Sequence, residues 1–329
     1  MTVAALGGGA QTTTAELILP PVLSVQYAPG RLIRVAQQVH LRTWSERINV
    51  VTSSQYAILL SVASEPGVNQ GVLADKARVD SVTAADIVRR LVRDGLLVRR
   101  TDPADRRRYA LSLSSAGLST FRSVTPEVLE VQRELLAPLE VIGQVDVLLD
   151  LLRGVARLPR ESHVPSTARL LLGRHWSEVP ALLGTPGHLI RVAQQVHQRL
   201  WARGVGSVMT SPQFSLLDAT AREPGLDQAT VGSRVSIDKA TSTDIIRRLL
   251  ARGYICRRRH PRDARRNALT LTTAGLKALA STTERVFEIQ DRLVEPLTTE
   301  ERHDFARLMA VIARIESGSE PMLRDAALR

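Results

Sequence analysis

The block Gly30–Trp44, GRLIRVAQQVHLRTW, returns 157 residues later as Gly187–Trp201, GHLIRVAQQVHQRLW, with twelve of fifteen positions identical. After one inserted residue the correspondence continues. Thr52-Ser-Ser-Gln-Tyr56 matches Thr210-Ser-Pro-Gln-Phe214, Glu65-Pro-Gly67 matches Glu223-Pro-Gly225, and Asp86-Ile-Val-Arg-Arg-Leu91 matches Asp244-Ile-Ile-Arg-Arg-Leu249. Each copy spans roughly 130 residues, which is too long for a solenoid unit and fits a duplicated domain. The chain therefore divides into an N-terminal extension (1–28), a first domain (29–158), a linker (159–185), a second domain (186–317) and a tail (318–329). Residues 1–14 read as disordered. The linker, with Pro159, Pro165, Gly173, Pro180 and Gly184, leaves room for one short helix around Ala168–Leu172.

Both copies show the same order of elements. Residues 30–47 carry apolar side chains at 32, 35, 36 and 39, with Thr43 continuing the same register, a helical spacing. Ser53 or Ser54 caps a second helix that Pro66-Gly67 stops. Asn69–Lys76 and Ser81–Asp94 read as two short helices joined by Ala-Arg-Val-Asp, with Gly95 as a C-cap. Leu96–Thr101 and Tyr109–Leu113 flank a polar, Pro-containing loop and read as a hairpin. Ser114–Leu136 and Glu140–Leu158 are two further helices. The second copy repeats this at 187–203, 211–222, 227–234, 239–252, 254–259 with 267–271, 273–295 and 298–317. The expected fold is mainly α with small β-hairpin wings.

The chain carries a formal net charge of +11, nearly all from Arg; Lys occurs only at 76, 239 and 277. A basic balance suggests a polyanionic partner, and position decides whether it has one. In copy one, Arg89, Arg90, Arg93, Arg99, Arg100, Arg106, Arg107 and Arg108 fall within twenty residues. In copy two, Arg252, Arg257, Arg258, Arg259, Arg262, Arg265 and Arg266 fall within fifteen. A single such run is ordinary solvated surface. The same run recurring at a hairpin tip after the same helix pair points to DNA: a helix fits the major groove, and a thin Arg-tipped hairpin fits the narrow minor groove. The single cysteine, Cys256, excludes an intramolecular disulfide and a multi-cysteine zinc site, and suits a reducing cytoplasm. No apolar run is long enough for a membrane span, and no secretory signal is visible at the N-terminus. His175, His188, His260 and His303 lack metal-ligand spacing, and no nucleophile or acid–base set points to an enzyme.

Helix, helix, helix-turn-helix, a wing reading Asp-Pro-x-Asp-x-Arg-Arg (Asp102–Arg108), a strand, Ser/Thr-x-Ala-Gly and two long helices: this order resembles the MarR (multiple-antibiotic-resistance regulator) family over about 30–157 and 187–317. The resemblance implies two winged helix-turn-helix domains and a bacterial or archaeal transcription factor, with a cytoplasmic, nucleoid-associated life on double-stranded DNA. It implies dimerisation through first and last helices, and release by small aromatic or phenolic effectors. Here both protomers lie in one chain, so an intramolecular pseudo-dimer with a helical dimerisation region is expected, open to further self-association. The implied DNA-binding residues are Ser81, Thr83, Ala84, Arg89, Arg106, Arg107 and Arg108 in copy one. In copy two they are Lys239, Thr241, Ser242, Thr243, Arg247, Arg262, Arg265 and Arg266. Asp105 and Asp263 would brace the wing arginines. Copy two, with Lys239 and more hydroxyls, is expected to hold DNA more tightly.

Gln37, His40 and Trp44 lie on one side of the first helix and recur as Gln194, His197 and Trp201. With Gln55 and Tyr56, and Gln213 and Phe214, they are candidates to line an effector cavity. They read equally as interface packing with satisfied imidazoles. No cofactor or metal is expected. At this point two functions stand, a repressor of a pseudo-palindromic operator and an architectural DNA binder without effector control.

Overall fold

The computed structural model describes residues 27–101, 109–159, 185–260 and 263–315. The short linker helix expected at Ala168–Leu172 lies outside them. Copy one is built from α1 (Pro29–Arg47), α2 (Ser53–Ser64), β1 (Val68–Asn69), α3 (Gln70–Lys76), α4 (Ser81–Arg93), β2 (Leu97–Thr101), β3 (Tyr109–Leu113), α5 (Ser115–Glu140) and α6 (Val145–Val155). Copy two follows with α7 (Pro186–Gly204), α8 (Ser211–Arg222), α9 (Gln228–Arg234), α10 (Lys239–Ala251), β4 (Ile255–His260), β5 (Asp263–Leu271), α11 (Thr273–Leu293) and α12 (Thr299–Ile312).

Side-chain caps set most of the helix starts, α1, α6 and α7 excepted. Thr52 and Thr210 each close a capping box, with Gln55 and Gln213 reaching back to the cap backbone. Asn69, Asp80, Asp227 and Asp238 accept from the backbone of the third residue of α3, α4, α9 and α10. The hairpins are antiparallel, β2 with β3 and β4 with β5. A two-residue strand, β1, adds to β3 in copy one; in copy two only the bridge Asp227↔Ala268 marks that place. β1 is not legible in the sequence, because two residues carry no periodicity. α5 also runs on to Glu140, past the expected break at Leu136. Pro138 lies so near its C-terminus that little of the hydrogen-bond ladder is left to interrupt.

Three hydrophobic cores result. One holds Tyr56, Ile58, Leu59, Leu73, Leu91, Leu111 and Phe121 of the copy-one winged region, and a second holds the copy-two counterparts around Phe214, Leu216, Ile246, Leu249 and Leu269. The third is shared: Leu32, Ile33 and Ala36 of α1 and Leu189, Ile190 and Ala193 of α7 meet Leu148 and Leu152 of α6 and Phe305, Leu308 and Met309 of α12. The packing is exchanged. α1 lies against α12 of the second copy, and α7 against α6 of the first. Burial of these apolar side chains, at roughly 1.5–3 kcal/mol each, holds the two copies together. The architecture is the pseudo-dimer of winged domains that the repeat implied. Among the described residues no helix is long and apolar enough to cross a membrane, and no cluster of three or more metal-ligating side chains occurs.

Candidate nucleic-acid interface and the seam behind it

α4 and α10 each bury one face and leave the other to solvent. In α4 the buried register is Ala84, Ile87, Val88 and Leu91; in α10 it is Ser242, Ile245, Ile246 and Leu249. Two expected DNA contacts are thereby corrected. Ala84 is fully buried, and Ser242 is 2% exposed against Gly232, with its hydroxyl donating to the Lys239 carbonyl, so neither meets a base edge. Thr243 is exposed, but its hydroxyl donates to the Lys239 carbonyl at 2.7 Å and accepts from Gln228 at 2.8 Å. Ser81, Thr83, Lys239 and Thr241 stand exposed at the helix starts. So does Val82, 78% exposed, an apolar residue beyond those expected there from the sequence.

Further along the same faces, Asp86 holds Arg89 (3.1 Å) and Arg90 (2.6 Å), and Asp244 holds Arg247 and Arg248. Exposed pairs like these contribute little stability. They orient the guanidiniums outward and can be exchanged for phosphate. Asp80 and Asp238 are held below the usual carboxylate range, chiefly by hydrogen bonds from Thr83 and Thr241, so the caps remain charged. In the wings, the Arg99 guanidinium lies 3.6 Å above the Tyr109 ring. Asp105, Arg106, Arg107, Arg108 and Arg262 lie outside the described residues, and for Asp263, Arg265 and Arg266 in β5 only the backbone is described. Cys256 pairs with the Thr270 hydroxyl at 3.1 Å.

Behind the readers, the first helices meet across a pseudo-twofold. Gly30 faces the ring of His197 and Gly187 the ring of His40 so closely that a Cβ would overlap either imidazole. The Gly30 N–H donates to Gln290 Oε1 (2.8 Å) and the Gly187 N–H to Gln132 Oε1 (2.9 Å). His40 and His197 thus belong to the seam and are not satisfied core groups: Nδ1 of each has no hydrogen-bond partner among the described residues. Burial pushes both down to about 4, helped by Arg191 beside His40 and Arg34 beside His197, so both rings are neutral.

Arginines of the first helices then cross to the opposite reader. Arg34 donates to the carbonyls of Val235 (2.7 Å) and Ser236 (3.1 Å), and Arg31 to the carbonyl of Arg234 (2.7 Å) and the Ser236 hydroxyl (3.3 Å). Arg191 donates to the carbonyls of Ala77 (2.7 Å) and Arg78 (3.0 Å). These carbonyls belong to the turns between the two helices of each helix-turn-helix, where Arg78 and Ser236 adopt the left-handed region (φ 49° and 53°). Arg31, Arg34 and Arg191 are not among the site residues expected from the sequence. Their signal was an Arg inside an otherwise apolar register, repeated at 34 and 191. Arg34→Ala should cost about 2–3 kcal/mol in urea unfolding, because the buried Val235 carbonyl and the part-buried Ser236 carbonyl lose their donor, and Arg191→Ala should cost less, because its bond to the Arg78 carbonyl is exposed. Lys at either position should recover less than half, since an ammonium lacks the planar fork.

A cleft opens where α1, α2 and α5 of copy one meet the start of α7, lined by His40, Trp44, Ser53, Tyr56, Ala57, Val128, Gln132, Thr185, His188 and Arg191. Of the expected copy-one cavity residues it brings together His40, Trp44 and Tyr56. Gln55 and Gln213 are taken by their capping boxes. Gln37 and Gln194 are half-buried, each with a side-chain oxygen unpaired among the described residues. Trp44 and Trp201 pack in the reader cores and donate to the carbonyls of Val51 (2.9 Å) and Met209 (2.8 Å); Phe214 packs edge-on to Trp201.

Family models described as the MarR family match residues 51–109 and 209–266. The transcriptional regulator HosA of Escherichia coli O111:H- is 31% identical over 107 residues, 32% of this chain and 79% of that protein. Among solved structures, the PcaV transcriptional regulator from Streptomyces coelicolor in complex with its natural ligand is 38% identical, covers 42% of this chain and 97% of its own, and has a TM-score of 0.40. The transcriptional repressor CouR bound to a 23-mer DNA duplex is 30% identical, with 39% and 92% coverage and a TM-score of 0.37.

Proposed function

The chain belongs to the MarR family of transcriptional regulators rather than to any enzyme class, and we propose that it is a sequence-specific regulator, acting as a repressor, that grips a pseudo-palindromic operator with two readers carried by one chain. Its working units are the domains 29–158 and 186–317, and one chain is the functional pseudo-dimer. The observation that carries this reading is the pair of recognition helices flanking one shared core, each with an exposed polar and cationic face and each helix-turn-helix bonded by arginine from the other copy.

In this reading α4 and α10 enter successive major grooves, led by Ser81, Thr83, Lys239 and Thr241. Arg89 and Arg247 trade their Asp partners for phosphates. The wing arginines, Arg106 to Arg108 and Arg262, Arg265 and Arg266, reach the minor groove, braced by Asp105 and Asp263. A small effector in the seam cleft releases the DNA. The orphaned imidazole nitrogens there favour this over an architectural binder without effector control.

Selection of random duplexes by the full chain at moderate salt tests the proposal. It should return two half-sites centred about one helical turn apart and unequal in sequence. Binding without a consensus would favour the architectural reading. On the selected duplex, Lys239→Ala with Thr241→Ala should weaken binding about tenfold and flatten the salt dependence by about one phosphate contact. Ser81→Ala with Thr83→Ala should weaken it less; equal losses would contradict the unequal readers.

A further inference from the structure

We propose that Val82 is a base-reading residue: its side chain meets the C5 methyl of a thymine in the major groove, so the half-site under α4 is specified by a methyl group and the half-site under α10 is not. This rests on the reading of α4 and α10 as the helices that enter DNA.

Val82 stands in the first turn of α4, 78% exposed, between exposed Ser81 and Thr83. The buried register of the helix, Ala84, Ile87, Val88 and Leu91, lies on the opposite face. Helical spacing continues the outward ridge from Val82 to Asp86, Arg89 and Arg93. Those three are charged and paired, Arg89 with Asp86 and Arg93 with Asp94, so Val82 is the one apolar side chain on the ridge. Thr83 is engaged beside it: its N–H (2.9 Å) and its hydroxyl both donate to the Asp80 carboxylate. Ala85, half-buried one turn on, extends the apolar surface. Base edges in the major groove present hydrogen-bond donors, acceptors and a single apolar group, the thymine C5 methyl. An aliphatic side chain at the tip of a groove-facing helix has that one complementary target. Removing both groups from water on contact supplies the attraction.

The same ridge of α10 has another chemistry. Lys239 stands in place of Ser81, Ala240 in place of Val82 and Thr243 in place of Ala85. The Thr243 hydroxyl accepts from the Gln228 amide at 2.8 Å, and the Gln228 oxygen accepts from Arg257 of the wing at 3.5 Å. This polar chain, led by an ammonium group, suits the acceptors of a guanine edge. In copy one Ala85 carries no hydroxyl to join such a chain, and Arg99, in the place of Arg257, lies over the Tyr109 ring instead. The two readers therefore ask for different edges, a methyl under α4 and hydrogen-bond acceptors under α10.

Titration of the full chain with the selected duplex, each thymine replaced in turn by deoxyuridine, tests the proposal. The exchange removes the methyl and keeps every hydrogen-bonding group of the base. At one thymine of the half-site under α4 it should weaken binding about fourfold, the effect of one methyl returned to water. V82A should weaken binding to the thymine duplex by about the same factor and should bind the thymine and deoxyuridine duplexes equally. Its urea midpoint should match that of the unaltered chain, because the side chain is exposed. The methyl effect should persist when Lys239 and Thr241 are both replaced by Ala, since those residues belong to the other reader. A selected duplex on which no thymine methyl matters, or a methyl effect of the same size in V82A, would overturn the proposal and leave the regulator reading standing. Failure to select any consensus would overturn both.

Discussion

Acidification from pH 7 to pH 4.5 should sharply lower the stability of the fold. His40 and His197 titrate near pH 6.5 in the unfolded chain and are pushed down to about 4 in the seam; burial also holds His188 well below 6.5. The sign follows from proton uptake. Between these values the unfolded chain binds protons that the folded chain refuses, so stability is full above about pH 6.5 and is lost as the pH falls toward 4. At about 1.4 kcal/mol for each tenfold loss of proton affinity, His40 and His197 each account for roughly 3 kcal/mol by pH 4. Arg191 and Arg78 around His188, and Arg34 beside His197, oppose imidazolium formation further. The exposed carboxylates Asp80, Asp238 and Asp244 are held below 3.8, so their contribution is lost only at lower pH and is separable. Urea midpoints should be flat from pH 8 to 7 and fall steeply between 6.5 and 4.5. Replacing His40 and His197 by Gln should flatten that fall. A midpoint unchanged between pH 7.5 and 5 would show that the seam imidazoles are not held neutral.

Gly117→Ala and Gly275→Ala should each cost about 3 kcal/mol or more, the largest effect expected of an added methyl at any of the described glycines. Each glycine is the third residue of α5 or α11, and a Cβ there would overlap the backbone carbonyl oxygen of Leu96 or Tyr254. Those same carbonyls accept from the Ser114 and Thr272 N–H groups at 3.1 Å. The cap hydroxyls complete each joint: Ser114 accepts from the Gly117 N–H and donates to the Gly95 carbonyl, and Thr272 does the same with Gly275 and Gly253. Backbone cannot move aside as a flexible side chain can, so an added methyl pushes the helix off the wing. Affinity for a selected duplex should therefore fall at least tenfold even where the variant remains folded. Gly71→Ala is the control: the space is open apart from ordinary contact with Asn69, the site is helical, and stability should hold or rise slightly. Equal effects at 71, 117 and 275 would refute the close-approach explanation.

This joint was partly legible before the structure. The Ser/Thr-x-Ala-Gly repeat after each wing marked it, but nothing in the linear pattern named Leu96 or Tyr254 as the atoms in the way. The buried face of the recognition helices was also legible. Ala84, Ile87, Val88 and Leu91 follow helical spacing, as do Ser242, Ile245, Ile246 and Leu249, and weighing that spacing above hydrogen-bonding capacity would have kept Ala84 and Ser242 inside. Gln55 and Gln213 likewise carried a capping-box signature, Thr-x-x-Gln, that outweighs a place in a cavity.

What the amino-acid sequence determined by itself was everything that depends on neighbours along the chain: the duplication, the helix caps, the helix-turn-helix, the hairpins and the clustering of arginine. These are local, because caps and periodic faces act over three to seven residues and are written twice. What only the tertiary structure decided was which copy touches which. The exchange of last helices, the glycines that admit the opposite histidines, and the arginines that hold the opposite reader join residues some 55 to 260 positions apart. Their energetics come from desolvation and close packing at a seam that exists only once both copies have folded together. The inequality of its two sides follows from single substitutions, Arg31 against His188 and Tyr56 against Phe214, whose meaning appears only when the pairs face each other in space.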